Sequence, residues 1–212
     1  MDEKWIIFDA MGVIFTVGDD TNNLLVPFVQ KINSSISKER INKLYIQASL
    51  GEISSNEFWR KIGACGEEKI KMIQKEYLDT CLTIDKDFIY VAKRLQTKYN
   101  LAILSNDVGE WSSYLRKKFG IDDVVKLSII SSDVKCRKPE IEIYKTALNL
   151  IGTKACNCVF IDDRDKNLIP AQNIGMNIIR FIRDDDNAKI KNAIIINTFK
   201  DLEKSLKLLW AK

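Results

Sequence analysis

The sequence predicts an α/β protein: a Rossmann-like, mostly parallel sheet with helices on both faces, interrupted by one inserted all-helical segment. Three observations predict it. Short apolar runs recur at 5–8, 101–104, 127–130, 158–161, 177–181 and 193–196. Most of them lack polar alternation, as expected of strands covered on both faces. From the second run onward helical patterns separate them, which makes βαβ units and a parallel sheet. Residues 18–81 break this rhythm and carry helical periodicity alone.

The first run ends at Asp9 and is followed at once by a turn carrying Gly12. Four helices are then expected, at 21–32, 38–50, 56–62 and 67–82. Ser37 and Ser54 suit their N-caps, and Ser54-Ser55-Asn56-Glu57 has the spacing of a capping box. An insert that leaves the sheet beside Asp9 is placed to cover that end of it. The expected division is therefore a core of 1–17 with 82–212 and a helical cap of 18–81. In the core, 87–99 aligns Phe88, Val91, Ala92 and Leu95 on one stripe. The segment 109–119 aligns Trp111, Tyr114, Leu115 and Phe119 and stops at Gly120. Helices at 140–150 and 202–210 complete the set. Pro139 is expected in the first turn of the former, with Lys138 held just outside its N-terminus. With three prolines and no low-complexity stretch, the chain has no obvious flexible tether.

Composition narrows the chemistry. The 212 residues, 46% hydrophobic and 29% charged, suit one globular core with a smaller insert. The net charge of +4 is scattered, which gives no nucleic-acid footprint. No run is long enough for a membrane span, and Met-Asp-Glu-Lys does not open a signal peptide, so a cytoplasmic protein is expected. Five cysteines, an odd number, read as free thiols, and Cys156-Asn-Cys158 is too close for a usual zinc pair. There is no histidine. Ser-His-Asp and Cys-His catalysis and His-ligated zinc or iron are excluded within this chain. Proton transfer falls to carboxylates, Lys, Tyr, Cys or water, and a metal would meet oxygen ligands, which points to magnesium.

Four segments place chemistry at strand ends, where ligands bind in open parallel sheets. A carboxylate such as Asp9 can attack phosphorus, or merely end a strand. Ser105, in Leu104-Ser105-Asn106-Asp107, can hold a phosphoryl oxygen, or make a turn. Lys138 can neutralise a carboxylate and a phosphate, or be a surface charge. Asp162 and Asp163 repel each other after a buried strand, and magnesium shared with Asp9 relieves that repulsion.

Taken together, in this order, these segments resemble the haloacid dehalogenase-like (HAD) hydrolase superfamily over essentially the whole chain. Its motifs correspond to FDAMGV, LSND, RKPEIEIY and FIDDRDKNLIPAQNIGM, and Leu50-Gly51-Glu52-Ile53-Ser54 leading to Phe58-Trp59 looks like a family cap. The resemblance implies a magnesium-dependent hydrolase of a small phosphorylated metabolite. Asp9 would be the nucleophile and form an aspartyl-phosphate. Ser105 and the backbone beside Asn106 would bind the phosphoryl group, and Lys138 would steady the intermediate. Asp163 would ligate magnesium directly, Asp162 directly or through water, and Met11 through its main-chain carbonyl. One departure stands out. Family phosphatases usually carry a general-acid Asp two residues after the nucleophile, and Met11 holds that place here, which implies slow or absent turnover. The glucose-1-phosphate-type sugar-phosphate phosphatases also lack that Asp and share the Gly-Glu-Ile-Ser, Arg-Lys-Pro-Glu and Asp-Asp…Asn features. The alternatives are a 2-haloacid dehalogenase-like hydrolase, for which Arg40 is the cap's candidate anion ligand, or a non-catalytic descendant that binds a phosphoryl ligand or a protein.

Overall fold

The strands β1 (Trp5–Phe8), β2 (Asn100–Ser105), β3 (Leu127–Ile130), β4 (Cys158–Asp162), β5 (Asn177–Phe181) and β6 (Ile194–Ile196) form one sheet in a computed structural model that describes residues 3–183, 190 and 193–210. Every pairing is parallel, and the order is β3-β2-β1-β4-β5-β6. The chain runs outward from β1 to β3 and then restarts on the other side of β1 with β4. That reversal opens a crevice beyond the ends of β1 and β4, the place where such sheets bind ligands. The register pairs Phe8 with Ile161, so Asp9 and Asp162 leave the sheet side by side.

Alternate side chains enter two separate cores. Ile6, Phe8, Ile103, Ile161, Ile179 and Phe181 face one way, and Trp5, Ile7, Leu104, Phe160 and Ile178 face the other. This accounts for the missing polar alternation, because period-two strands buried on both faces read as continuous apolar runs. The second face is covered by α8 (Ile141–Ile151) and α9 (Asp165–Asn173), which contribute Ile143, Tyr144, Ala147, Leu168 and Ala171. Neither α9 nor the single-turn α7 (Ser131–Val134) is among the helices expected from the sequence. The first carries Pro170 in its interior, and the second is too short to show a period.

The insert forms the expected helices with trimmed ends. A π-helical turn at Thr21–Leu25 runs into α1 (Val26–Ile32), followed by α2 (Lys38–Ser49), α3 (Ser55–Lys61) and α4 (Glu67–Thr80). Ser37 caps α2 through the Arg40 N–H, and Ser54 and Glu57 make the reciprocal capping box. The core helices α5 (Phe88–Leu95), α6 (Gly109–Lys118) and α10 (Leu202–Trp210) also form where expected. The start of α8 differs. Arg137 to Glu140 make a tight turn, with the Glu140 N–H donating to the Arg137 carbonyl at 2.8 Å, and the helix begins at Ile141. Pro139 is therefore a turn residue, joined to Lys138 by a cis peptide, and Lys138 is not set by a helix N-terminus.

The insert shares its apolar core with the first face of the sheet. Phe28, Phe58, Trp59 and Tyr77 from the insert pack around Trp111 of α6. The indole N–H groups of Trp59 and Trp111 both donate to Gln74 Oε1, at 3.1 and 2.9 Å. Lys118 and Tyr114 of α6 reach Asp79 of α4 at 2.7 Å each. All five cysteines are free, with Cys158 buried at the start of β4. Among the described residues no helix is long and apolar enough to cross a membrane.

Candidate active site

Beyond the ends of β1, β2 and β4 lies a small, half-open cavity of about 60 Å³. Asp9, Met11, Ser105, Asn106 and Lys138 all line it, together with Asp20, Thr21, Tyr45, Arg137, Arg164 and Asn167. The Asp9 N–H donates to the Ile161 carbonyl at 2.8 Å, which continues the β1–β4 ladder one residue past the strand and fixes the carboxylate's root. Lys138 Nζ donates to Asp9 Oδ1 at 2.6 Å and to Asp162 Oδ2 at 2.9 Å, and its side chain is 1% exposed. The ammonium lies 5.2 Å from the Phe160 ring centroid, a further favourable contact for a buried cation. Burial acts to lower the Lys138 pKa, but the Asp162 and Asp9 carboxylates outweigh it and hold the ammonium above its ordinary value.

Asn106 uses its side-chain amide to hold Lys138. Its Nδ2 donates to the Lys138 carbonyl and its Oδ1 accepts from the Lys138 N–H, both at 2.8 Å. This paired bond ties the 137–140 turn to the end of β2 and aims Lys138 across the sheet. Asp162 is fully buried and saturated. It accepts from Lys138, from the Arg164 N–H at 2.8 Å and from Asn167 Nδ2 at 3.0 and 3.1 Å. Its geometry suits orientation of Lys138 better than direct metal ligation. Asp163 is the opposite case. Its Oδ1 is buried without a hydrogen-bond partner, and its Oδ2 is crowded by the backbone of Gly12 and Gly18. Burial, then the charges of Asp9 and Asp162, push its carboxyl up to about 8. Burial raises Asp9 to about 6 against the pull of Lys138.

Asp9, Asp162 and Asp163 each offer a carboxylate oxygen within 4.8 Å of the others. Asp9 and Asp162 share one ammonium, while Asp163 has only the Arg164 guanidinium 3.8 Å away and a buried Oδ1 with no hydrogen-bond donor. That excess of hard oxygen ligands fits a divalent cation such as magnesium. Ser105 Oγ is likewise buried without a partner, an unused hydroxyl facing the cavity.

A family profile described as haloacid dehalogenase-like hydrolase matches residues 6–181. The chain belongs to that family. The sesquiterpene phosphatase astK of Aspergillus oryzae is 45% identical over 178 residues, spanning 82% of this chain and 87% of its own length. Flavin mononucleotide hydrolase 1 of Arabidopsis thaliana is 37% identical over 83 residues, only 36% of this chain and 34% of that protein. Among solved structures, a wild-type HAD family enzyme of Bacteroides thetaiotaomicron in complex with magnesium and inorganic phosphate superposes with a TM-score of 0.68. It is 23% identical, and the match covers 88% of this chain and 98% of that one. At that identity the likeness speaks for the HAD fold alone.

In this HAD-like hydrolase every residue anticipated at the strand ends is brought to the crevice. Arg40 is not. It is exposed in the first turn of α2, away from the cavity, because the stripe that α2 buries runs through Ile41, Leu44, Tyr45 and Ala48. Sequence reasoning missed Asp20, Tyr45, Arg137 and Arg164. Asp19-Asp20 stands in a loop with no strand to mark its direction, whereas Tyr45 sits on an ordinary amphipathic helix. The Tyr45 hydroxyl donates to the Asn106 carbonyl at 3.1 Å, and the Arg137 guanidinium lies 5.7 Å over its ring. Arg164 donates to the Gly18 carbonyl. Asp20 is 7% exposed, and burial above all pushes its carboxyl up to about 7, with Arg164 opposing.

Asp107 lies just behind the site. It is 3% exposed, and its Oδ1 accepts from the Val108 N–H at 2.7 Å. Burial, then the charge of Asp20, raise its carboxyl from 3.8 to about 8. The folded protein therefore keeps a proton that the unfolded chain has lost. Stability contributed by that proton is complete below pH 3.8 and is lost as the pH rises through about 8. Asp107→Asn should remove one proton's worth of this decline, a slope of up to about 1.4 kcal/mol per pH unit. Urea unfolding at pH 5 and pH 8 checks it; equal slopes for variant and parent contradict it.

Proposed function

We propose that the protein is a magnesium-dependent phosphohydrolase of a small phosphorylated metabolite, acting through an aspartyl-phosphate on Asp9. The observation that carries this reading is the arrangement around Asp9: an ammonium on one oxygen, Asp163 with a free oxygen within metal-sharing distance, and the unpartnered Ser105 hydroxyl. Asp9, Asp163 and the Met11 carbonyl would hold the ion, with Asp162 beside them steadying Lys138. When bound, the ion supplies positive charge that offsets repulsion between a carboxylate and a phosphoryl group.

Asp9 presents its carboxylate oxygen to phosphorus, Ser105 and the backbone beside Asn106 take phosphoryl oxygens, and Lys138 neutralises charge as Asp9 is esterified. Water then cleaves the acyl phosphate. Residues 18–81 serve as a cap, an idea supported by Asp20, Thr21 and Tyr45, which reach from the insert into the cavity. A space of about 60 Å³ suits a phosphoryl group, the rest of a substrate would lie towards its open side, and movement of the insert there would exclude water. The names of the two relatives agree on phosphate-bearing substrates but differ in the group attached, so neither selects the metabolite.

Hydrolysis of p-nitrophenyl phosphate that appears with magnesium and vanishes with a chelator is the expected result. Chloride release from 2-chloropropionate without magnesium would replace this reading with the dehalogenase one, and inertness towards both overturns it. Gly18→Ala offers a finer check. Its new methyl collides with Asp163 Oδ2, a side-chain end that can swing away without unfolding the chain. Magnesium affinity measured by calorimetry should fall by at least about tenfold, as when a ligand loses its orientation. Unchanged affinity would show that Asp163 does not ligate.

A further inference from the structure

We infer that Asp20 is the general acid and base of the reaction, supplying from the insert the proton that Met11 cannot. The inference rests on the phosphohydrolase reading above and goes beyond it. It begins from what lines the cavity around Asp9. A thioether occupies the place two residues after the nucleophile, and with no histidine in the chain only a few cavity groups carry protons. Lys138 is committed to Asp9 and Asp162, and losing its proton would leave those two carboxylates uncompensated. Arg137 and Arg164 keep their protons at any relevant pH. The Tyr45 hydroxyl is given to the Asn106 carbonyl.

Asp20 remains. It lines the same cavity as Asp9 and Met11 but comes from the start of the insert, not from the sheet. Its carboxyl accepts from the Thr21 backbone N–H, and no side chain is bonded to it among the described residues. In-line displacement puts the leaving group on the side of phosphorus away from Asp9, and a carboxyl carried by the insert rather than by Asp9's own strand can be brought there.

The steps balance. As Asp9 forms its bond to phosphorus, the bond from phosphorus to the ester oxygen breaks, and that oxygen takes the Asp20 proton and departs as an alcohol. The Asp20 carboxylate then accepts a proton from the water that attacks the aspartyl-phosphate. Asp9 is released, phosphate leaves, and Asp20 is again protonated.

The test compares the parent with Asp20→Asn and Asp20→Ser; the serine keeps an oxygen for the Thr21 N–H should the amide disturb the turn. Each protein, loaded with magnesium and checked for a native unfolding transition, is mixed in excess with glycerol phosphate or p-nitrophenyl phosphate. First-turnover release of glycerol should fall about 10²-fold in either variant, and release of nitrophenolate, which needs no proton, at least ten times less than that. Intact-mass measurement should also find one phosphoryl group accumulating on the variants with the aryl ester, because the water-activating step has lost its base. Equal losses for both esters, or no accumulation, overturn the role of Asp20 and leave the phosphohydrolase reading in place. A parent inert towards both esters overturns that reading, and the role of Asp20 with it.

Discussion

Asp9→Asn is expected to lower hydrolysis of p-nitrophenyl phosphate by at least about 10⁴-fold, with no phosphorylated protein detectable by intact mass. An amide oxygen is a poor nucleophile and a weaker ligand for a hard cation. The contact with Lys138 adds to the loss. Asp9 Oδ1 sits 2.6 Å from Nζ, and an amide can offer the ammonium only its carbonyl oxygen, which fixes which atom faces phosphorus. Because burial already raises the Asp9 carboxyl to about 6, removing its charge costs the fold little, and Lys138 keeps Asp162 as its partner. Turnover reduced less than about tenfold would remove Asp9 from the role of nucleophile.

The second large effect falls on stability. Lys138→Met is expected to destabilise the protein by about 3–5 kcal/mol at neutral pH, the cost of leaving buried charge uncompensated. The side chain of Lys138 is 1% exposed, those of Asp9 and Asp162 are 9% and 0% exposed, and Met matches the lysine stem in shape. What is lost is therefore charge rather than packing. The sign with pH follows. Without the ammonium the Asp9 carboxylate, already raised by burial, takes up a proton more readily in the folded state than in the unfolded chain, so the deficit should shrink as the pH falls from 8 towards 5. Urea unfolding in the presence of a chelator measures it. A loss below about 1 kcal/mol at pH 8 would show that solvent reaches the pair.

The strands were legible because burial on both faces leaves an unambiguous apolar run, and the carboxylates were legible because they end such runs. Asp9, Ser105 and the Asp162–Asp163 pair stand where parallel sheets bind ligands, but their expected roles, and that of Lys138 in the 137–140 turn, came from the resemblance carried by the four motifs together. Side-chain bookkeeping was not legible. That Asn106 spends its amide on Lys138, or that Asp162 is saturated while Asp163 is open, depends on distances no spacing encodes. Pro139 misled for a similar reason, since proline suits both a helix start and a tight turn. The insert's helices were visible from their periods and caps. What their apolar stripes would meet was not: they close around Trp111 of α6, so the insert and the sheet share one core.

The place of β1 in the sheet also sets when the protein can become active. The strand that carries Asp9 is synthesised before both of its neighbours, since Trp5 pairs with Asn100 and with Cys158. At a synthesis rate of about 5–20 residues per second, its second edge waits on the order of ten seconds or more for a partner. Through that interval Ile6, Ile7 and Phe8 have no sheet to enter, and such long-range parallel pairing is slow in itself. A ribosome that stalls before β4 releases a chain that holds Asp9 and the insert but neither Asp162 nor Asp163. Premature termination there therefore yields a fragment with open strand edges, prone to aggregate and suited to capture by chaperones.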